Sequence, residues 1–133
     1  VVILGVTRDG KIILVRQFRP ALGIYTIEFP SGYINDGEPR IDAAKREFTE
    51  ETGYVCDSMT YIGSFTVAPS RINTMLHFFV GKDAESAGEE RTEKEIEVVC
   101  LTEEQLKRLI ADGQLLEVAG SAIYLAARLK GFL

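Results

Sequence analysis

The sequence predicts an α/β fold, a mixed β-sheet covered by helices. Three observations predict it. Runs of β-branched and aromatic residues of strand length recur along the chain, a well-bounded helix follows the third of them, and two further helical segments close the sequence. The order β-β-β-α-β-β-β-α-α suits a sheet whose apolar faces are both covered. The 133 residues, 46% hydrophobic and 26% charged, are enough for one core, so a single domain over 1–133 is expected and a disordered chain is excluded.

The first two strands are "VVILGVT" and "KIILVRQF", joined by the turn "RDG" as a hairpin. "IYTIEFP" is a third strand closed by Pro30. "RIDAAKREFTEET" is the helix, with Pro39 suited to its first turn and Gly53 to its C-terminal end. "YIGSFTV" and "TMLHFFVG" are strands around the loop "APSRIN", and "DAESAGEERTEKE" reads as a mobile polar loop. "IEVVCL" is the last strand. Thr102 and Gln105 predict a capping box for a helix through Ala111, with Gly113 as its stop, and "SAIYLAARLK" is the final helix. The chain begins at Val1 inside an apolar run, without Met, so either it was trimmed or an upstream segment precedes this numbering.

The formal net charge of −5 argues against non-specific binding to nucleic acid or to a membrane surface. No apolar run reaches spanning length, and no signal-peptide pattern is present. Cys56 and Cys100 lie in apolar stretches without metal-ligand spacing, and His77 is the sole histidine, so a zinc site is excluded. Two reduced, buried thiols point to a cytoplasmic protein.

At about 100° per residue, Ile41, Phe48 and Thr52 fall within roughly 40° of one another, with Ala44 beside them, forming the expected core stripe. Glu47, Glu50 and Glu51 form a second cluster centred roughly 120° away. The cluster lies toward the helix C-terminus, where the macrodipole disfavours negative charge. A solvated acidic face is the ordinary explanation. Hard oxygen donors on one rigid face also suit Mg²⁺ or Mn²⁺, which share coordination with substrate phosphates.

The wider spacing strengthens the metal reading. Gly32, Glu38, Arg46, Glu47, Glu50, Glu51 and Gly53 stand in the pattern G-x5-E-x7-R-E-U-x-E-E-x-G-U, where U is a bulky aliphatic residue. This resembles the Nudix box. Phe48 and Tyr54 are aromatic where the family usually has aliphatic residues. The resemblance extends over nearly the whole chain and implies a Nudix-type α/β/α sandwich with a mixed β-sheet. It implies a hydrolase for a nucleoside diphosphate linked to another group. Glu47, Glu50 and Glu51 match the family's metal-binding glutamates, with the Ser31 carbonyl as a further ligand and Glu38 joining through water. Arg46 matches the arginine that orients a glutamate, and with Glu50 and Glu51 it belongs to the catalytic group.

Residues outside the box resemble the ADP-ribose pyrophosphatase subgroup. Pro69 lies fifteen residues after Tyr54, and "VRQFRP" and "EFPSG" look like the subgroup's approach to the box. The resemblance implies that Arg19 contacts substrate phosphates and that Glu28 binds a substrate hydroxyl or organises the loop. Arg71 is a further phosphate candidate and equally a solvated loop charge. The proton acceptor is expected from "EERTEKEIEVV", as Glu95 in preference to Glu93. Adenine would stack on Phe18, Tyr25 or Tyr33, or on a partner subunit, since Trp is absent. A homodimer is implied, although the N-terminal segment that relatives exchange is lacking. Two other readings stay open: a nucleoside-triphosphate pyrophosphohydrolase, and a Nudix-fold binding or regulatory domain without turnover.

Overall fold

The computed structural model describes residues 1–88 and 95–133. Its elements are β1 (Val2–Thr7), β2 (Ile12–Arg19), β3 (Ile24–Glu28), α1 (Arg40–Thr52), β4 (Tyr54–Val55), β5 (Ser58–Phe65), β6 (Leu76–Ser86), β7 (Glu97–Leu101), α2 (Glu103–Ala111) and α3 (Val118–Leu129). The sheet is mixed: β1 runs parallel to β6, and the other pairings are antiparallel.

Strand alternation sorts the side chains into two cores. Val2, Leu4 and Val6 of β1, Ile12 and Leu14 of β2, and Phe78 and Val80 of β6 face α2 and α3, packing with Leu106, Ala119 and Ile123. Ile3, Ile13 and Phe79 face the other way, onto Ala43, Ala44 and Phe48 of α1. The helix sits close: a Cβ at Gly5 would lie 2.4 Å from the Phe48 ring. The result is the expected α/β/α sandwich.

The path of β2 creates the opening used below. Its first residues pair with β1, and residues 15–19 pair with β3. The chain after β3 then returns to β1, with Ile3 N donating to Pro30 O at 2.8 Å and Gly32 N to Val1 O at 3.1 Å. This hands the loop before α1 to the end of the sheet.

The bounds of α1 agree with the sequence, with Pro39 just outside as the extended N-cap residue and Gly53 left-handed at φ 72°. The capping box of Thr102 and Gln105 is formed. Four expectations are corrected. The sequence carries no strand signal for β4, and β6 continues through Ser86 into the polar stretch expected as a loop, because Tyr54 and Val55 supply backbone partners for Ser86 and Glu85. α3 begins at Val118, three residues early; Gly120 lets it approach Leu115, which a Cβ would meet at 3.0 Å. Ile41 is 40% exposed, while Glu47 and Glu51 are buried at 9% and 6% exposure, so the covered face of α1 is rotated toward the glutamates. Cys56 and Cys100 are free but half-buried; burial pushes the Cys56 thiol up to about 12. Among the described residues no helix is long and apolar enough to cross a membrane.

Candidate functional site

Burying Glu47 and Glu51 requires partners for their carboxylates. Arg46 supplies one for Glu47 and binds two further carboxylates. Its Nε and Nη2 form a fork on Glu38, at 2.8 and 2.9 Å. Its Nη1 donates to Glu47 Oε1 at 2.8 Å and to Glu50 Oε2 at 3.1 Å, and Nη2 also reaches the Tyr33 carbonyl at 3.0 Å. One guanidinium thus gathers three carboxylates and ties α1 to the preceding loop. The fork, with the Asn35 backbone N–H, holds the Glu38 carboxyl down at about 2, and the same bonds raise the Arg46 guanidinium.

Glu51 is held differently. Its Oε2 accepts from the Ser31 backbone N–H at 2.9 Å. Gly32 is required here by close approach: a Cβ would lie 2.0–2.3 Å from the Glu47 carboxylate atoms. The loop 31–33 therefore lies directly on the glutamates.

A cavity of about 500 Å³ opens beside this loop. Ser31, Gly32, Tyr33 and Glu51 form one wall, Gln17, Arg19 and Glu117 another, and Thr74–His77 a third. Arg19 closes on the buried Glu28: Nε donates to Oε1 at 2.9 Å and Nη2 donates to Oε2. Thr26 Oγ1 adds a bond to Glu28 at 2.6 Å. Burial alone would raise the Glu28 carboxyl, but Arg19 and Thr26 together hold it below the usual range. His77 Nδ1 pairs with Ser64 Oγ at 2.7 Å, and burial lowers its imidazole.

The other expected residues are placed unevenly. Pro69 and Arg71 do not line this cavity; they border an adjoining depression that meets it at Thr74. Phe18 and Tyr25 pair edge to face at 5.4 Å on the β2–β3 surface, with Arg16 over the Tyr25 ring at 4.2 Å, and Tyr33 is exposed. Glu95 is exposed in the turn before β7, and Glu93 lies outside the described residues. Gln17, His77 and Glu117 line the cavity without having been singled out for it. Gln17 lies within "VRQFRP", but nothing local to His77 or Glu117 signals a shared cavity.

Among the described residues no three carboxylate, imidazole or thiol groups already converge as a metal cage, since Arg46 occupies the space between its glutamates. The donor set nonetheless fits a hard divalent cation. All the side-chain donors are carboxylate oxygens on one helix, and the missing side chain at Gly32 keeps clear the space against the Glu47 carboxylate that a Cβ would fill.

Comparison with known proteins identifies the family. The NUDIX domain model matches residues 1–118. The chain belongs to the Nudix family. Its box helix is α1. Among curated relatives, the ADP-ribose pyrophosphatase of Bacillus subtilis is 35% identical over 113 residues, covering 83% of this chain and 61% of that protein. The methanol dehydrogenase activator of Bacillus methanolicus is 37% identical over 83 residues, covering 62% of this chain and 44% of that protein. This Nudix chain thus spans less than two thirds of the length of these relatives. A solved structure of an ADP compounds hydrolase superimposes with a TM-score of 0.85 at 26% identity, covering 98% of this chain and 71% of the other.

Proposed function

We propose that this Nudix chain is a Mg²⁺-dependent pyrophosphohydrolase, with Mn²⁺ as a substitute ion, that cleaves ADP-ribose or a related nucleoside diphosphate sugar. The products are a nucleoside monophosphate and a sugar phosphate. The observation that carries the reading is the single opening onto which Glu51 of the box helix, Ser31 of the loop before it and Arg19 of β2 all face. The relatives named for ADP-ribose and ADP compounds support the substrate class.

In this reading Glu47, Glu50 and Glu51, with the Ser31 carbonyl, hold the cation. When bound, it supplies Lewis-acid stabilisation of the pyrophosphate and acidifies a water. Arg46 orients Glu47 and Glu50 through the bonds described above, and Glu38 anchors Arg46. Arg19, fixed by Glu28, faces the phosphates, with Arg71 and the Pro69 turn at the adjoining depression. Glu95 takes the proton from water, because ligating carboxylates lose basicity and one outside the helix keeps it. The protein acts as a cytoplasmic homodimer.

The deciding experiment is a product assay over a panel of ADP-ribose, other nucleoside diphosphate sugars and nucleoside triphosphates, with Mg²⁺ and with EDTA. AMP and ribose 5-phosphate from ADP-ribose, only with the metal, are expected. Faster release of inorganic pyrophosphate from a triphosphate would replace this reading with nucleotide-pool hydrolysis. Binding without turnover of any compound would make the chain a ligand-binding domain.

A further inference from the structure

Glu117 has no role in the chemistry above, yet it stands at the cavity wall. It is the residue before α3, but its side chain makes no capping bond. Its Oε2 is buried and has no hydrogen-bond partner among the described residues. Arg19 is near enough to act on it electrostatically but directs Nε and Nη2 at Glu28. Burial, reinforced by the charge of Glu28, pushes the Glu117 carboxyl above the usual range, with Arg19 opposing. A buried acceptor without a donor destabilises a fold, so a water or a bound group is expected to meet this carboxylate at the cavity wall.

The surroundings define that donor. Glu117 is shared between the main cavity and a smaller depression of about 310 Å³, where Ala21, Leu22 and Leu116 lie beside it. An acceptor set among aliphatic groups, with a guanidinium at hand, suits a sugar ring: an apolar face, a rim of hydroxyls and an attached phosphate. We propose that Glu117 accepts a hydrogen bond from a sugar hydroxyl of the bound nucleotide sugar and is a specificity-determining residue. This rests on the pyrophosphohydrolase reading. The hydroxyl belongs either to the nucleoside ribose or to the terminal sugar.

The test compares wild type, Glu117→Leu and Glu117→Gln on ADP-ribose, on P2-methyl ADP, which lacks the terminal sugar, and on the 2′,3′-dideoxyadenosine analogue of ADP-ribose. Glu117→Leu should raise KM for ADP-ribose by about 10- to 100-fold with kcat nearly unchanged. Glu117→Gln, which keeps an acceptor, should lose less. The compound lacking the contacted hydroxyl should be indifferent to the substitution: an unchanged KM for P2-methyl ADP assigns the terminal sugar, and an unchanged KM for the dideoxy analogue assigns the nucleoside ribose. Removal of an unmatched buried acceptor should leave the unfolding midpoint of Glu117→Leu unchanged or raised. Equal losses on all three compounds, or an unaltered KM for ADP-ribose, would overturn the assignment while leaving the hydrolase reading intact. A wild-type protein that cleaves no pyrophosphate would remove both.

Discussion

Arg46 gathers carboxylates behind the loop that walls the cavity, Arg19 does so on the cavity wall itself, and they do so in different proportions. Arg46 divides its donors among Glu38, Glu47 and Glu50 and still reaches the Tyr33 carbonyl. Arg19 closes on Glu28 alone, and Glu117 beside it keeps a buried oxygen unmatched. At Arg46 one cation serves three anions, two on α1 and Glu38 in the loop before it, which leaves surplus negative charge for a divalent ion. On the β2–β3 wall one cation matches one anion, and the remainder is a single hydrogen-bond acceptor. A cluster in charge deficit recruits ions, whereas a matched pair with one spare acceptor recruits a neutral donor.

The largest test of that contrast removes charge from α1. Glu51→Gln keeps an acceptor for the Ser31 N–H, so the fold should survive. The rate should fall by roughly 10³-fold in kcat with ADP-ribose, because the lost charge stabilises the transition state. EDTA should abolish turnover and Mg²⁺ restore it. A folded variant with a near-normal rate would reduce the cluster to a solvated acidic face.

Next, Gly32→Ala should cost up to about 3 kcal/mol or displace Glu47, because the added methyl overlaps its carboxylate. Chemical denaturation and the Mg²⁺ concentration needed for half-maximal rate would report the two effects. Wild-type values for both would show that the loop does not hold the glutamate.

Arg46→Met leaves its carboxylates to repel one another and should lower metal-free stability by about 2 kcal/mol, as expected for lost bonds to charged groups. Mg²⁺ should restore part of this. If the metal raises the melting temperatures of variant and wild type equally, ion and guanidinium do not share the same charge.

The smallest effect is one of pH. Glu38 has its carboxyl held at about 2, below its ordinary value of 4.5. The unfolded chain therefore takes up the proton first, and the stabilisation is fully present above about pH 4.5 and lost as pH falls toward 2. Denaturation of Glu38→Gln should lie below wild type near neutrality, and the gap should close across that window. A gap constant with pH would mean that Glu38 acts through packing and not through its charge.

Much of this was legible in the residues themselves. The β-branched runs on either side of "RDG" marked the first two strands, and Pro39 and Gly53 bounded α1. Thr102 and Gln105 announced their helix. The spacing from Gly32 to Gly53 placed the acidic group on one helix. These features depend on neighbours within a turn or a pleat, where backbone geometry repeats and periodicity can be read directly.

The tertiary structure decided which surfaces are covered and which polar atoms are left over. Glu47 and Glu51 went inward and Ile41 outward because the loop at Gly32 lies over the first two and Arg46 and the Ser31 N–H satisfy their carboxylates. β6 outran its polar sequence because β4 offered it backbone partners. Glu117 became notable only when α3 brought it to Arg19, a residue of the second strand. Each outcome depends on groups far apart in the chain meeting in space. Local propensity carries no term for such meetings, because burial and hydrogen-bond satisfaction are properties of the packed surface and not of the segment.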